Sequence, residues 1–138
     1  MLALKYQKRW QLAGGLLLLF VLLSAIMPAL WFWDDRVKLV SWLGHIDKWF
    51  HVLTFAFLTT WFSGQFSSKN YWRIALALVA FGILIELCQR LVGYRYAEWS
   101  DVIANVIGIA AGLGLATAGL GGWSQKVENW IERRQAAR

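Results

Sequence analysis

The chain has 138 residues, 59% of them hydrophobic, with a formal net charge of +6 and one cysteine. That hydrophobic share exceeds the roughly 45–50% of soluble domains, so an ordinary water-soluble core is excluded and one transmembrane domain over residues 1–138 is expected. The basic residues flank apolar runs, as topology-setting lysines and arginines do, which argues against nucleic acid; the lone Cys88 excludes an intrachain disulfide and a CxxC-type metal site.

Lys5, Lys8 and Arg9 precede an apolar run from Leu12 to about Trp33. The run is far longer than a signal-peptide core, and no Ala-x-Ala site ends it. It predicts an uncleaved transmembrane helix over about residues 11–33, with Pro28 in its last turns to kink or end it. Residues 34–48 mix charges with Val37, Leu39, Val40, Trp42, Leu43 and Ile46, which recur at spacings of three and four. A short interfacial helix over 34–46 fits that pattern, and so does a plain loop.

Three further runs predict helices over about 49–66, 71–91 and 101–120. Each is close to the ~20 residues that cross a hydrocarbon core. Lipid cannot satisfy backbone groups, and no period-two alternation suggests a barrel. In the tail, about 123–134, Trp123, Val127, Trp130 and Ile131 share one helical face, while Lys126, Glu128, Glu132 and Arg133 fall elsewhere. The expected fold is all-α: an integral membrane four-helix bundle with an amphipathic C-terminal interfacial helix.

Orientation follows from the loop cations. With both termini on one side, that side carries nine lysines and arginines against five on the other. The chain is therefore expected to be a multi-pass protein with both termini in the cytoplasm. The tryptophans divide between the same two surfaces, as aromatic belts do.

This topology brings three polar pairs to the outer side. Asp47 and His51 open the second helix, Glu86 and Gln89 close the third beside Arg90, and Asp101 and Asn105 open the fourth. Spacings of three and four put each pair on one face. His51, Glu86 and Asn105 then share a depth of about one turn, ~6 Å. Each has a structural reading as well. Asp47 and Asp101 suit helix starts, with Ser100 an alternative cap. His51 suits an interhelical hydrogen bond. Gly108 and Gly112 read as a close-packing stripe. Glu86 is harder to account for, since a central charge costs about 2.5–3.5 kcal/mol on insertion scales.

Asp47-Lys48-Trp49-Phe50-His51, Glu86 to Gln89, Arg95, and Asp101 to Gly112 together resemble the VanZ-like family over about residues 45–115. Gly93-Tyr94 stands where that family often has a proline before the arginine. The resemblance implies a small integral membrane protein of the bacterial inner or plasma membrane, in a family associated with resistance to teicoplanin, a glycopeptide.

Three functions follow as expectations. The first is binding or processing of an anionic envelope lipid or lipid-linked precursor. His51, Glu86 and Asp101 would be the catalytic groups, and Asp47, Lys48, Gln89, Arg90, Arg95 and Asn105 the ligand-binding ones. The second is a metal-dependent membrane hydrolase with Asp47, His51, Glu86 and Asp101 as ligands. Mixed pairs lack the specificity of His-Glu-x-x-His, so no metal or other cofactor is assigned. The third is a non-enzymatic scaffold or small transporter.

Overall fold

A computed structural model describes residues 2–31, 46–91 and 99–137. Helix α1 spans Gln7–Trp31, α2 Ile46–Ser63, α3 Tyr71–Leu91, α4 Trp99–Leu115 and α5 Trp123–Ala136. A 3-10 turn, Ser68–Asn70, leads into α3, and a π-helical stretch, Ala116–Leu120, continues α4. The described residues contain no strand. Most of the expected 34–46 segment, and Arg95 with its loop, lie outside them.

The boundaries differ from the hydropathy pattern at charged ends. α2 starts at Ile46 rather than 49 and ends at Ser63 rather than 66. Asp47 and Lys48 thus lie in its first turn, where backbone N–H groups have no intrahelical acceptor and polar side chains are tolerated. α4 starts at Trp99, so Ser100 and Asp101 are inside the first turn and neither is the cap. α1 continues past Pro28 to Trp31.

Among the described residues, three stretches are long and apolar enough to cross a membrane: Gln7–Ile26, Ser68–Leu91 and Trp99–Ala136. The expected fourth, α2, is not among them. It has 18 residues, and Asp47, Lys48 and His51 occupy its opening turns. Four hydroxyls follow at Thr54, Thr59, Thr60 and Ser63. Three of these donate to carbonyls of their own helix, Thr59 to Phe55, Thr60 to Ala56 and Ser63 to Thr59, at 2.7–2.8 Å. This hydroxyl back-bonding lets polar residues sit in a dry interior.

α2 supplies the centre of the molecule. Phe55 and Leu58 are buried with Ile74, Leu78 and Ile85 of α3 and Ile109 of α4. Leu17, Leu18, Val21 and Leu22 of α1 cover this cluster from one side. The outer faces stay apolar: Leu12, Leu16, Leu19, Phe20 and Leu23 on α1 are all exposed, as are Leu76, Ile83, Leu84 and Leu87 on α3. An apolar surface of that extent suits lipid rather than water.

α2 and α4 pack most extensively. A Cβ at Gly108 would meet the Val52 carbonyl and Phe55, and one at Gly112 would meet the Ala56 carbonyl and Thr59. Only glycine lets the two backbones approach this closely. Gly119 (φ 126°) and Gly122 (φ 66°) then break the chain between α4 and α5, in a region that side chains with a Cβ disfavour.

The break returns α5 to the N-terminal segment. Glu128, expected on the solvated side of the tail helix, is buried. It accepts hydrogen bonds from the backbone N–H groups of Lys5 and Tyr6 and from Trp10 Nε1, at 2.8–3.0 Å. The carboxylate satisfies donors that precede the first turn of α1. Trp10, Trp61 and Trp123 cluster beside it, with ring centroids 5.2–6.0 Å apart. Val127 and Trp130 on the other side of α5 are exposed. Both termini therefore lie at one end of the molecule.

Candidate functional site

The other end holds the polar cluster. The ligand-capable atoms of His51, Glu86 and Asp101 all lie within 4.8 Å of one another. Each residue comes from a different helix: α2, α3 and α4. Glu86 and Asp101 are buried, at 5% and 0% exposure, whereas His51 is only half-buried. The histidine thus forms the accessible edge and the two carboxyl groups the interior.

The helix pairings explain this meeting. The Gly108–Gly112 stripe seats α4 against α2 at Val52 to Thr59. Asn105 lies one turn before Gly108 and His51 one residue before Val52, so close backbones place them side by side. His51 Nδ1 and Asn105 Oδ1 are 2.9 Å apart. With the amide oxygen turned toward the ring, Nδ1 is the donor of this bond and Nε2 is the ring nitrogen left for other partners.

Gly82 makes the corresponding room on α3. A Cβ there would stand 2.8 Å from Asn105 Nδ2 and 3.2 Å from the Phe55 ring. Asn105 is 2% exposed, and its Nδ2 has no acceptor among the described residues. Gly82 is a residue that hydropathy reading passes over. Its signal is a lone glycine in an apolar helix, one turn before an acid.

Gln89 is buried and donates from Nε2 to the Ala25 carbonyl at 3.2 Å, which ties α1 to α3. Arg90 is exposed in the last turn of α3. Lys48 is half-buried at the start of α2. Asp47 is helical, but its side chain lies outside the description, as does all of Arg95.

Chemically, the cluster offers one imidazole nitrogen of defined tautomer beside two enclosed carboxyl groups. It can accept a proton at His51 Nε2 and stabilise the resulting cation. The first turns of α2 and α4 open at this end, so the positive ends of two helix dipoles face it.

A family model described as VanZ/LLP1 matches residues 2–120. No curated protein and no solved structure matches the chain.

Proposed function

The chain belongs to the VanZ/LLP1 family, and from that premise we propose that it binds or processes the anionic headgroup of an envelope lipid or lipid-linked precursor. It would do so as a multi-pass protein of the bacterial inner or plasma membrane. In this reading both termini are cytoplasmic and the His51 end faces outward, consistent with the nine-to-five distribution of loop cations.

The observation that carries the reading is the graded exposure of the cluster. His51 stands half-buried in front of two buried carboxyl groups within 4.8 Å. A headgroup meets the imidazole first. Nε2 then takes a proton from a headgroup hydroxyl or from water, while Asn105 holds the ring through Nδ1. Glu86 and Asp101 stabilise the imidazolium without touching the headgroup. Lys48 and Arg90, at the same end, supply positive charge for a phosphate or carboxylate. Two helix N-termini add to that preference. The link to teicoplanin resistance follows from the family resemblance and belongs to the same proposal.

Mass spectrometry of lipid co-purifying with the wild type and with His51→Ala, Glu86→Gln and Lys48→Gln tests the proposal. Wild type should retain an anionic lipid species that the three folded variants lose. An identical lipid complement in all four proteins would reject a headgroup site here. Expression of the same set should change teicoplanin susceptibility only where lipid is retained.

A further inference from the structure

We propose that His51, Glu86 and Asp101 form a divalent metal site, taking a borderline transition ion of the zinc or manganese type. The inference rests on the site of the proposed function and gives His51 Nε2 to the ion, so that the ion, and not the imidazole, would meet the headgroup in the loaded protein. Three observations carry it: the distances, the enclosure and the hydrogen bond that orients the histidine.

The distances fit an ion after a small contraction. The three donors lie within 4.8 Å of one another. In the widest case they form an equilateral triangle whose centre is about 2.8 Å from each. Zinc bonds to nitrogen and carboxylate oxygen are about 2.0–2.2 Å, so each donor moves inward by no more than about 0.7 Å. Small rotations of three side chains accomplish that. Three protein ligands also leave a fourth position open for water or substrate, as catalytic zinc sites do.

The enclosure selects for size. Asp101 is 0% and Glu86 5% exposed, so a bulky headgroup cannot reach between them, whereas an ion can.

The histidine is arranged as a metal ligand is. Its Nδ1–H is committed to Asn105 Oδ1 at 2.9 Å, which leaves Nε2 to coordinate. Metal-bound histidines almost always donate their other ring N–H to such a partner, and this fixes tautomer and ring direction. Asn105 is buried at 2% exposure, in room that Gly82 leaves on α3. One imidazole with two carboxylates disfavours calcium, which takes 6–8 oxygen ligands, and magnesium, which keeps most of its water.

The test uses full-length protein in detergent, stripped with EDTA and titrated with ZnCl₂, MnCl₂ or MgCl₂. Bound metal is measured by elemental analysis after gel filtration, and manganese also by its electron paramagnetic resonance signal. Wild type should bind about one zinc or manganese per chain and magnesium far more weakly. His51→Gln and Glu86→Gln should abolish binding. Asn105→Ala should weaken it about 10–100-fold, as loss of an outer-shell partner does. Glu132→Gln, an exposed acid at the other end, should bind as wild type.

Folded wild type that binds no stoichiometric metal overturns the inference. So does His51→Gln binding at wild-type affinity, and this second result covers adventitious sites. Lipid retention is followed in the same preparations. Lipid retained by a chain that binds no metal rejects the metal and keeps the headgroup reading. Metal bound at His51 without any specific lipid does the reverse.

Discussion

Replacing Gly108 by alanine tests whether backbone approach builds the site. The added Cβ would press on the Val52 carbonyl oxygen and stand 3.0 Å from Phe55 Cβ and 3.1 Å from the Ala56 nitrogen. Ordinary C–H···O contacts are 3.3–3.6 Å, so α4 must withdraw by about 1 Å. The atom in the way is backbone of a packed helix and cannot rotate aside. Overpacking of this kind costs about 1–3 kcal/mol, against a helix-propensity gain of about 0.5–1 kcal/mol for glycine to alanine. Gly114, on the same helix, has nothing within 4 Å of its Cβ position, so Gly114→Ala isolates the propensity gain. Gly108→Ala should be the less stable of the two by about 1–3 kcal/mol, the overpacking cost alone. Denaturant unfolding in detergent measures the gap. The same withdrawal stretches the 2.9 Å His51–Asn105 bond beyond the ~3.2 Å limit, and nitrogen-15 NMR of the imidazole would report a mixed tautomer. Equal stabilities for the two variants, with an unchanged His51 spectrum, would refute the account of the α2–α4 contact.

Three other outcomes are expected. Glu128→Ala removes an acceptor of three hydrogen bonds and should cost about 2–3 kcal/mol, because bonds to a charged group are strong and buried donors are left unpaired. Limited trypsin digestion should then release α5, while Glu132→Ala, which breaks only an exposed pair with Lys5, should leave it attached. Gln89→Leu should loosen α1 at Ala25, seen as faster labelling of a cysteine placed at Ala25, with His51 chemistry unchanged. Single cysteines at Gln7 and Gln135 should both resist impermeant reagents added outside intact cells; labelling of either would overturn the orientation.

The helices are legible in the sequence because apolar runs of nearly 20 residues have few alternatives. The common depth of His51, Glu86 and Asn105 is legible from residue counts once the topology is chosen. The close approach of α2 and α4 is announced by Gly108 and Gly112. Helix starts are less legible. Asp47, Lys48 and Asp101 look like loop residues by hydropathy, yet a first helical turn accommodates polar groups without cost to its unpaired N–H donors. Glu128 is misread for a different reason. Its helix is amphipathic and its neighbours are charged, so its own sequence places it in solvent. What buries it is the backbone of residues 5 and 6, more than 120 positions away, and no local pattern encodes that contact. Gln89 has a partner of the same long-range kind in the carbonyl of Ala25, 64 positions earlier.

These long-range bonds divide the labour between the two ends of the molecule. At the terminal end, Glu128 and the Trp10–Trp61–Trp123 cluster join α1, α2 and α5. At the other end, Gln89 carries an α1 contact. Among the described residues, the site's His51, Glu86, Asp101 and Asn105 come from α2, α3 and α4, and α2 enters it through polar opening turns that lower its own suitability for lipid. A helix of that composition is stable in a membrane only when its neighbours cover it. α3 and α4 do so through Ile74, Leu78, Ile85 and Ile109. The least lipid-compatible helix is therefore the central one, and its buried position brings an imidazole and two carboxyl groups together at one end of the molecule.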